Sequence, residues 1–171
     1  MPKTKKNTIK DINKVIGIDV GTNNLAAAVF IKEDLIDYKI LENKKTLSVG
    51  QKLINIEDFL DKIFEIEKPD AVVVEGSFWN PREARGYSQV SAAMGIIQAT
   101  AWRNGQIEPV KLQPSTVKKM VAGNGRATKD QVAEAVKRLY QIEKDLPDHT
   151  TDSIAVGTAY ILQQTKGEEL T

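Results

Sequence analysis

Apolar and polar positions divide the chain into two regimes. Val15-Ile16-Gly17-Ile18 is short and apolar and closes on Asp19, the pattern of a central strand buried on both faces. Gly21-Thr22-Asn23-Asn24 is turn chemistry. Leu25 to Ile31 and Leu35 to Leu41 then read as two further strands joined by a polar turn, and such short connections predict an antiparallel meander. Beyond residue 50 the period changes. Leu53, Ile56, Leu60, Ile63 and Phe64 recur at helical spacing until Lys68-Pro69-Asp70 ends the pattern. Ala71 to Glu75 is a second fully apolar strand closed by an acid. A helix from Glu83 to Trp102 follows, rich in small residues (Ser91, Ala92, Ala93, Gly95, Ala99), and then a fifth strand over Ile107 to Leu112. Pro114 suits the first position of a helix. Thr128 to Tyr140 reads as a helix with Thr128 as N-cap and Gln131 in capping-box position, and Asp148 to Gln164 as the last helix.

Three meandering strands, helix, strand, helix, strand and helices is the element order of the ribonuclease H-like fold. The expectation is an α/β domain with a five-stranded mixed sheet flanked by helices. The 171 residues suit one compact domain, assigned to 15–166, behind a flexible lysine-rich extension over 1–14. No run approaches the ~18 apolar residues of a membrane helix. The N-terminus lacks the apolar stretch of a signal peptide, so the expected setting is the cytoplasm of a bacterium or of a virus-infected host cell, with no membrane partner. The chain has no cysteine and one histidine, so any metal must be held by Asp, Glu or that histidine. A net charge of +1 announces no partner, but basic residues cluster at the N-terminus and again at Lys111, Lys118, Lys119, Arg126, Lys129, Lys137 and Arg138.

The acidic residues are placed more informatively. Asp19 and Glu75 each end an otherwise apolar strand, where an unpaired charge costs several kcal/mol. If the two strands are neighbours, both carboxylates emerge at one edge of the sheet, where such sheets commonly carry chemistry. On the last helix His149 and Asp152 share a face, and Asp148 stands four residues before Asp152. Apolar positions at Ile154, Ala155, Ala159 and Leu162 would pack this helix on the sheet and bring Asp152 toward the other two acids. Such an oxygen-rich set favours Mg²⁺ or Mn²⁺. His149 suits either ligation or the orientation and deprotonation of a water; sequence leaves both open.

The segment Val117-Lys118-Lys119-Met120-Val121-Ala122-Gly123-Asn124-Gly125-Arg126-Ala127-Thr128-Lys129-Asp130-Gln131-Val132 resembles, without a gap, the signature of the RuvC family of Holliday junction resolvases. Val-Ile-Gly-Ile-Asp-Val-Gly-Thr and Val-Val-Glu-Gly-Ser-Phe resemble that family's first and second motifs, and the likeness runs from about Val15 to Leu162. The resemblance implies a homodimeric, Mg²⁺-dependent endonuclease for four-way or branched DNA, with Mn²⁺ able to substitute. It implies Asp19, Glu75 and Asp152 as catalytic metal ligands, joined by His149, and Phe78 as an aromatic stacking on bases at the junction centre. Lys118 and Lys129 match basic positions near the scissile phosphate, with Lys119 and Arg126 as further DNA contacts. Many relatives carry Asp where His149 stands, and some carry His. The helix from Glu83 to Trp102 is the expected dimer face, and a helicase partner is allowed but not specified. The glycines of the signature would let backbone amides approach an anion.

Two other readings compete. The fold could serve another branched DNA or an RNA substrate. More remotely, Gly17-Ile18-Asp19-Val20-Gly21-Thr22-Asn23 resembles the first phosphate motif of actin-like ATPases and sugar kinases, but those proteins close two such domains on a nucleotide.

Overall fold

The computed structural model describes residues 12–76 and 84–167. The strands are β1 (Lys14–Asp19), β2 (Asn24–Ile31), β3 (Asp34–Glu42), β4 (Ala71–Glu75) and β5 (Val110–Leu112). The helices are α1 (Val49–Glu67), α2 (Ala84–Gly105), α3 (Pro114–Ala122), α4 (Lys129–Leu139) and α5 (Asp148–Lys166). The sheet runs β3-β2-β1-β4-β5. β1, β2 and β3 are antiparallel neighbours, whereas β4 lies parallel to both β1 and β5. This is the mixed five-stranded sheet that the alternation of strand and helix implies.

The two central strands are buried on both faces because each face carries its own core. Val15, Ala28, Phe30, Ala71, Val73 and Leu112 point into one core, with α3, α4 and α5. Ile16, Ile18, Leu25, Ala27, Val29, Val72 and Val74 point into the other, with α1 and α2. The two-residue period of a strand then fixes where the terminal acids point. Asp19 follows Val15 and Gly17 in parity, and Glu75 follows Ala71 and Val73, so both stand on the α5 side.

Several boundaries differ from the sequence expectation, for local reasons. α1 begins at Val49 rather than Leu53, because Ser48 and Gln51 close a capping box one turn earlier. β5 shrinks to three residues. Pro109 just before it has no N–H for the ladder, and Ile107 instead packs into the α1–α2 core. β1 starts at Lys14, inside the expected extension: Asp70 accepts the amides of Asn13 and Lys14 at 2.8 and 2.7 Å, and Lys14 pairs with Glu67 at 3.0 Å. The remainder of that extension, 1–11, lies outside the described residues. Among the described residues no helix is long and apolar enough to cross a membrane.

Candidate active site

The register of β1 on β4 pairs Ile18 with Val74, so Asp19 and Glu75, one residue further on, leave the sheet side by side. α5 supplies the third wall. It crosses β1 at Gly17, where a Cβ would stand 2.4 Å from the Ser153 carbonyl oxygen and 2.6 Å from the Gly157 nitrogen. Gly157 in turn leaves room for the Phe30 ring, which an added Cβ would meet at 2.2 Å. A strand-interior glycine and a helix-interior glycine are each unfavourable locally, the latter by about 1 kcal/mol against alanine. Together they let α5 lie directly on the strand, so its first turns, with His149 and Asp152, reach the carboxyl edge.

There the groups interact. Asp19, only 17% exposed at its side chain, accepts a hydrogen bond on Oδ2 from His149 Nδ1 at 2.6 Å. His149 Nε2 faces the side-chain amide of Asn24, 3.2 Å away. Burial raises the Asp19 carboxyl above its ordinary range, only partly offset by His149 and Lys129. Burial likewise raises Glu75, and the negative charges of Asp152 and Asp19 push it further. Asp152 is raised by burial and then by Asp19, with Asp148 adding to the repulsion from the exposed first turn of α5. Burial thus disfavours all three charged forms, and the Asp19 charge disfavours those of Glu75 and Asp152 further.

The basic residues answer this charge unequally. Lys129 lies 3.7 Å from Asp152 and lowers the pKa of all three carboxyls. Lys118 acts on Glu75. Lys119 and Arg126 are exposed, and no ion pair among the described residues holds either of them. The expected stacking residue, Phe78, lies outside the described residues.

The signature segment explains itself residue by residue. Val117, Val121, Ala127 and Val132 are core. Gly123 ends α3 in the left-handed region at φ 77°, and its N–H bonds to the Lys119 carbonyl. Gly125 passes so near α3 that a Cβ would lie 3.2 Å from the Ser115 carbonyl oxygen. Thr128 and Gln131 close the expected capping box on α4. Both glycines thus answer first to the path of the chain. What the segment delivers to the site is Lys118 and Lys129.

A hard divalent cation fits this donor set in kind: three carboxylates, each raised by burial or by its neighbours, and one imidazole at a single edge. Among the described residues no three of these groups stand close enough to chelate an ion as they lie, and Asp19 spends one oxygen on His149. The cluster is open, and its members must turn to share an ion.

Sequence reasoning passed over Asn24, which it treated as turn chemistry, and Lys52, which holds that turn. Lys52 is 7% exposed and donates from Nζ to Asn23 Oδ1 at 2.8 Å. A signal existed: Lys52 stands in the apolar row of α1 that continues through Ile56, Leu60 and Ile63, where a lysine needs a reason.

Comparison with known proteins places this arrangement. Two solved structures share the architecture: Thermus thermophilus RuvC, with TM-score 0.79 and 23% identity, and the same organism's RuvC in complex with a Holliday junction substrate, with TM-score 0.82 and 24% identity. Each match covers 90% of this chain and 96% of the other. The fold is that of a ribonuclease H-like nuclease. The family model described as crossover junction endodeoxyribonuclease RuvC matches residues 15–160, and the chain belongs to that family. Among the relatives named crossover junction endodeoxyribonuclease RuvC, that of Dictyoglomus thermophilum is 36% identical over 88% of this chain and 97% of its own. That of Synechocystis is 33% identical over 84% and 88%.

Proposed function

We propose that the chain is a divalent-metal-dependent endonuclease that resolves four-way DNA junctions as a homodimer, each subunit cutting one of two symmetry-related strands in the cytoplasm. The observation that carries the reading is the convergence of Asp19, Glu75 and Asp152, from two adjacent strands and the last helix, into mutual electrostatic reach beside His149.

Asp19, Glu75 and Asp152 would hold Mg²⁺, or Mn²⁺ in its place, with His149 as fourth ligand or as base. Such ions, when bound in a pair, supply an activated water and a counter-charge for the leaving 3′ oxygen in in-line hydrolysis. The protein's own groups do the rest. Asp19 keeps the Nδ1 proton of His149, which leaves Nε2 as the ring nitrogen with a lone pair, suited to ligation or to taking a proton from the attacking water. Lys129 and Lys118 are fixed cations beside the carboxylates and stabilise charge developing on the phosphate as the P–O3′ bond breaks. Lys119 and Arg126, exposed and unpaired among the described residues, suit the DNA backbone on either side. Phe78 keeps the role its position in the second motif implies, stacking at the crossover for ~1–3 kcal/mol per base. On α2, Ser91, Gly95 and Ala99 repeat at four-residue spacing on the exposed side, a stripe that permits close approach of a second copy.

The test is cleavage of labelled four-way, three-way and duplex DNA with Mg²⁺. The four-way substrate should be cut at two symmetric phosphates, and Asp19→Asn should abolish cutting while junction binding stays within about threefold of wild type. Retained cutting by Asp19→Asn would count decisively against the mechanism, and equal cutting of all three substrates against the specificity.

A further inference from the structure

We propose that Asn24 is a positioning residue whose side-chain amide donates to His149 Nε2 and orients the ring that Asp19 holds at Nδ1, until an ion or the proton of a water takes that lone pair. The inference deepens the nuclease reading and rests on it for its catalytic meaning, but not for its geometry.

Both ring nitrogens of His149 are engaged, and the two partners are chemically opposite. On one side the Asp19 carboxylate, which can only accept, stands 2.6 Å from Nδ1, so the proton sits there. A neutral imidazole protonated on Nδ1 has its lone pair on Nε2, and the atom facing Nε2 is the Asn24 Nδ2 amide, a donor, at 3.2 Å. The two bonds require the same tautomer. They also fix the ring plane from both ends, so rotation about the Cβ–Cγ bond of His149 breaks both at once.

Such a clamp works only if Asn24 is itself held, and the turn that carries it is anchored from several directions. Gly21 approaches so closely that a Cβ would stand 2.4 Å from the Asn24 carbonyl oxygen. Asn43, 8% exposed, donates its backbone amide to the Asn23 carbonyl at 2.7 Å and its side-chain amide to the Thr22 carbonyl at 2.8 Å. Asn55 donates to Asn43 Oδ1 at 2.7 Å, Lys52 holds Asn23, and Thr22 Oγ1 donates to Gln89 Oε1 of α2 at 3.1 Å. A buried lysine and a buried asparagine therefore spend their hydrogen bonds on a four-residue turn. The residue at its far end is the one that meets the imidazole. One lone pair serves one partner, so Asn24 presets the ring and gives way when Nε2 ligates an ion or takes a proton.

Because the chain has a single histidine, its imidazole gives one spin system. The experiment is long-range ¹H–¹⁵N correlation of metal-free, DNA-free protein at a pH where the ring is neutral, on wild type, Asn24→Leu and Asn24→Gln. Wild type should show a protonated Nδ1 and an unprotonated, hydrogen-bonded Nε2. Asn24→Leu should move the Nε2 resonance toward its unbonded position while Asp19 keeps the proton on Nδ1, and Asn24→Gln should recover part of the wild-type spectrum. In parallel, Asn24→Leu should slow junction cleavage roughly tenfold with junction binding unchanged, because the ring is no longer held in place before it reacts. A wild-type ring protonated on Nε2 overturns the proposal by itself, even if Asn24→Leu does not fold. So does an Asn24→Leu spectrum identical to wild type. The expected spectra without any DNA cleavage would sink the nuclease reading and leave the positioning role standing; cleavage with the wrong tautomer would do the reverse.

Discussion

Glu75 shows what it costs to keep a carboxyl at this edge. Its pKa is raised first by burial and then by Asp152 and Asp19, so the folded chain binds protons more tightly here than the unfolded chain. The sign follows. Between the ordinary carboxylate range and the raised folded values, the native state carries more protons, so the metal-free protein loses stability as pH climbs through that window. Asp19 and Asp152 shift in the same direction and add to the loss. Glu75→Gln should therefore raise the metal-free Tm at pH 7, since it removes a charge that burial, Asp152 and Asp19 all disfavour. It should also shrink the stabilisation gained on adding Mg²⁺. Scanning calorimetry with and without the ion reads both, and a lower Tm for Glu75→Gln would refute the repulsion argument. At this scale the sequence was informative about which acids meet at one edge of the sheet, because a charge ending an apolar strand is conspicuous. It was silent on Asn24, whose partner lies 125 positions away, and an asparagine in a turn explains itself locally.

α5 owes its place to what is missing from two residues. Gly157 is a sharp test because two effects oppose each other. Alanine would gain about 1 kcal/mol of helix propensity, whereas its Cβ would enter the Phe30 ring, an overpacking that costs typically 1–3 kcal/mol. The collision should prevail: Gly157→Ala should lower Tm by several degrees and reduce cleavage further than stability explains, since lifting the helix withdraws Asp152 and His149 from Asp19. A Tm above wild type would show that the helix does not lie as close to β1 as described. The elements themselves were well marked in the sequence. Thr128, Gln131 and Pro114 stand at helix starts as their chemistry directs. The misplaced ends had causes outside hydrophobic periodicity, namely the Ser48–Gln51 box that lengthens α1 and Pro109 that shortens β5. The fold class was read from element order, and the adjacency of β1 and β4 came only with the structure. Which face of the sheet α5 would cover became visible only through the parity of Val15, Gly17 and Asp19.

For the molecule as a whole, the two faces of the sheet divide the labour. The layer with α3, α4 and α5 carries the acids and the lysines, and the layer with α1 and α2 leaves an exposed small-residue stripe on α2. Gly95 sits in that stripe, and among the described residues no atom beyond its chain neighbours and its own helix backbone lies within 4 Å of where its Cβ would be, so a larger side chain is free to enter solvent in a single copy. Gly95→Arg should therefore leave the fold of the subunit intact, with Tm within about 2 °C, while shifting sedimentation from dimer to monomer. An arginine variant that still sediments as a dimer would move the self-interface elsewhere.

The acids that make the site come from residue 19, residue 75 and the last helix, in that order along the chain. A ribosome carrying everything up to α4 has already made the first two, and the lysines beside them, yet has no Asp152 and no helix to cover β1. The acidic cluster is therefore complete only once α5 packs on β1.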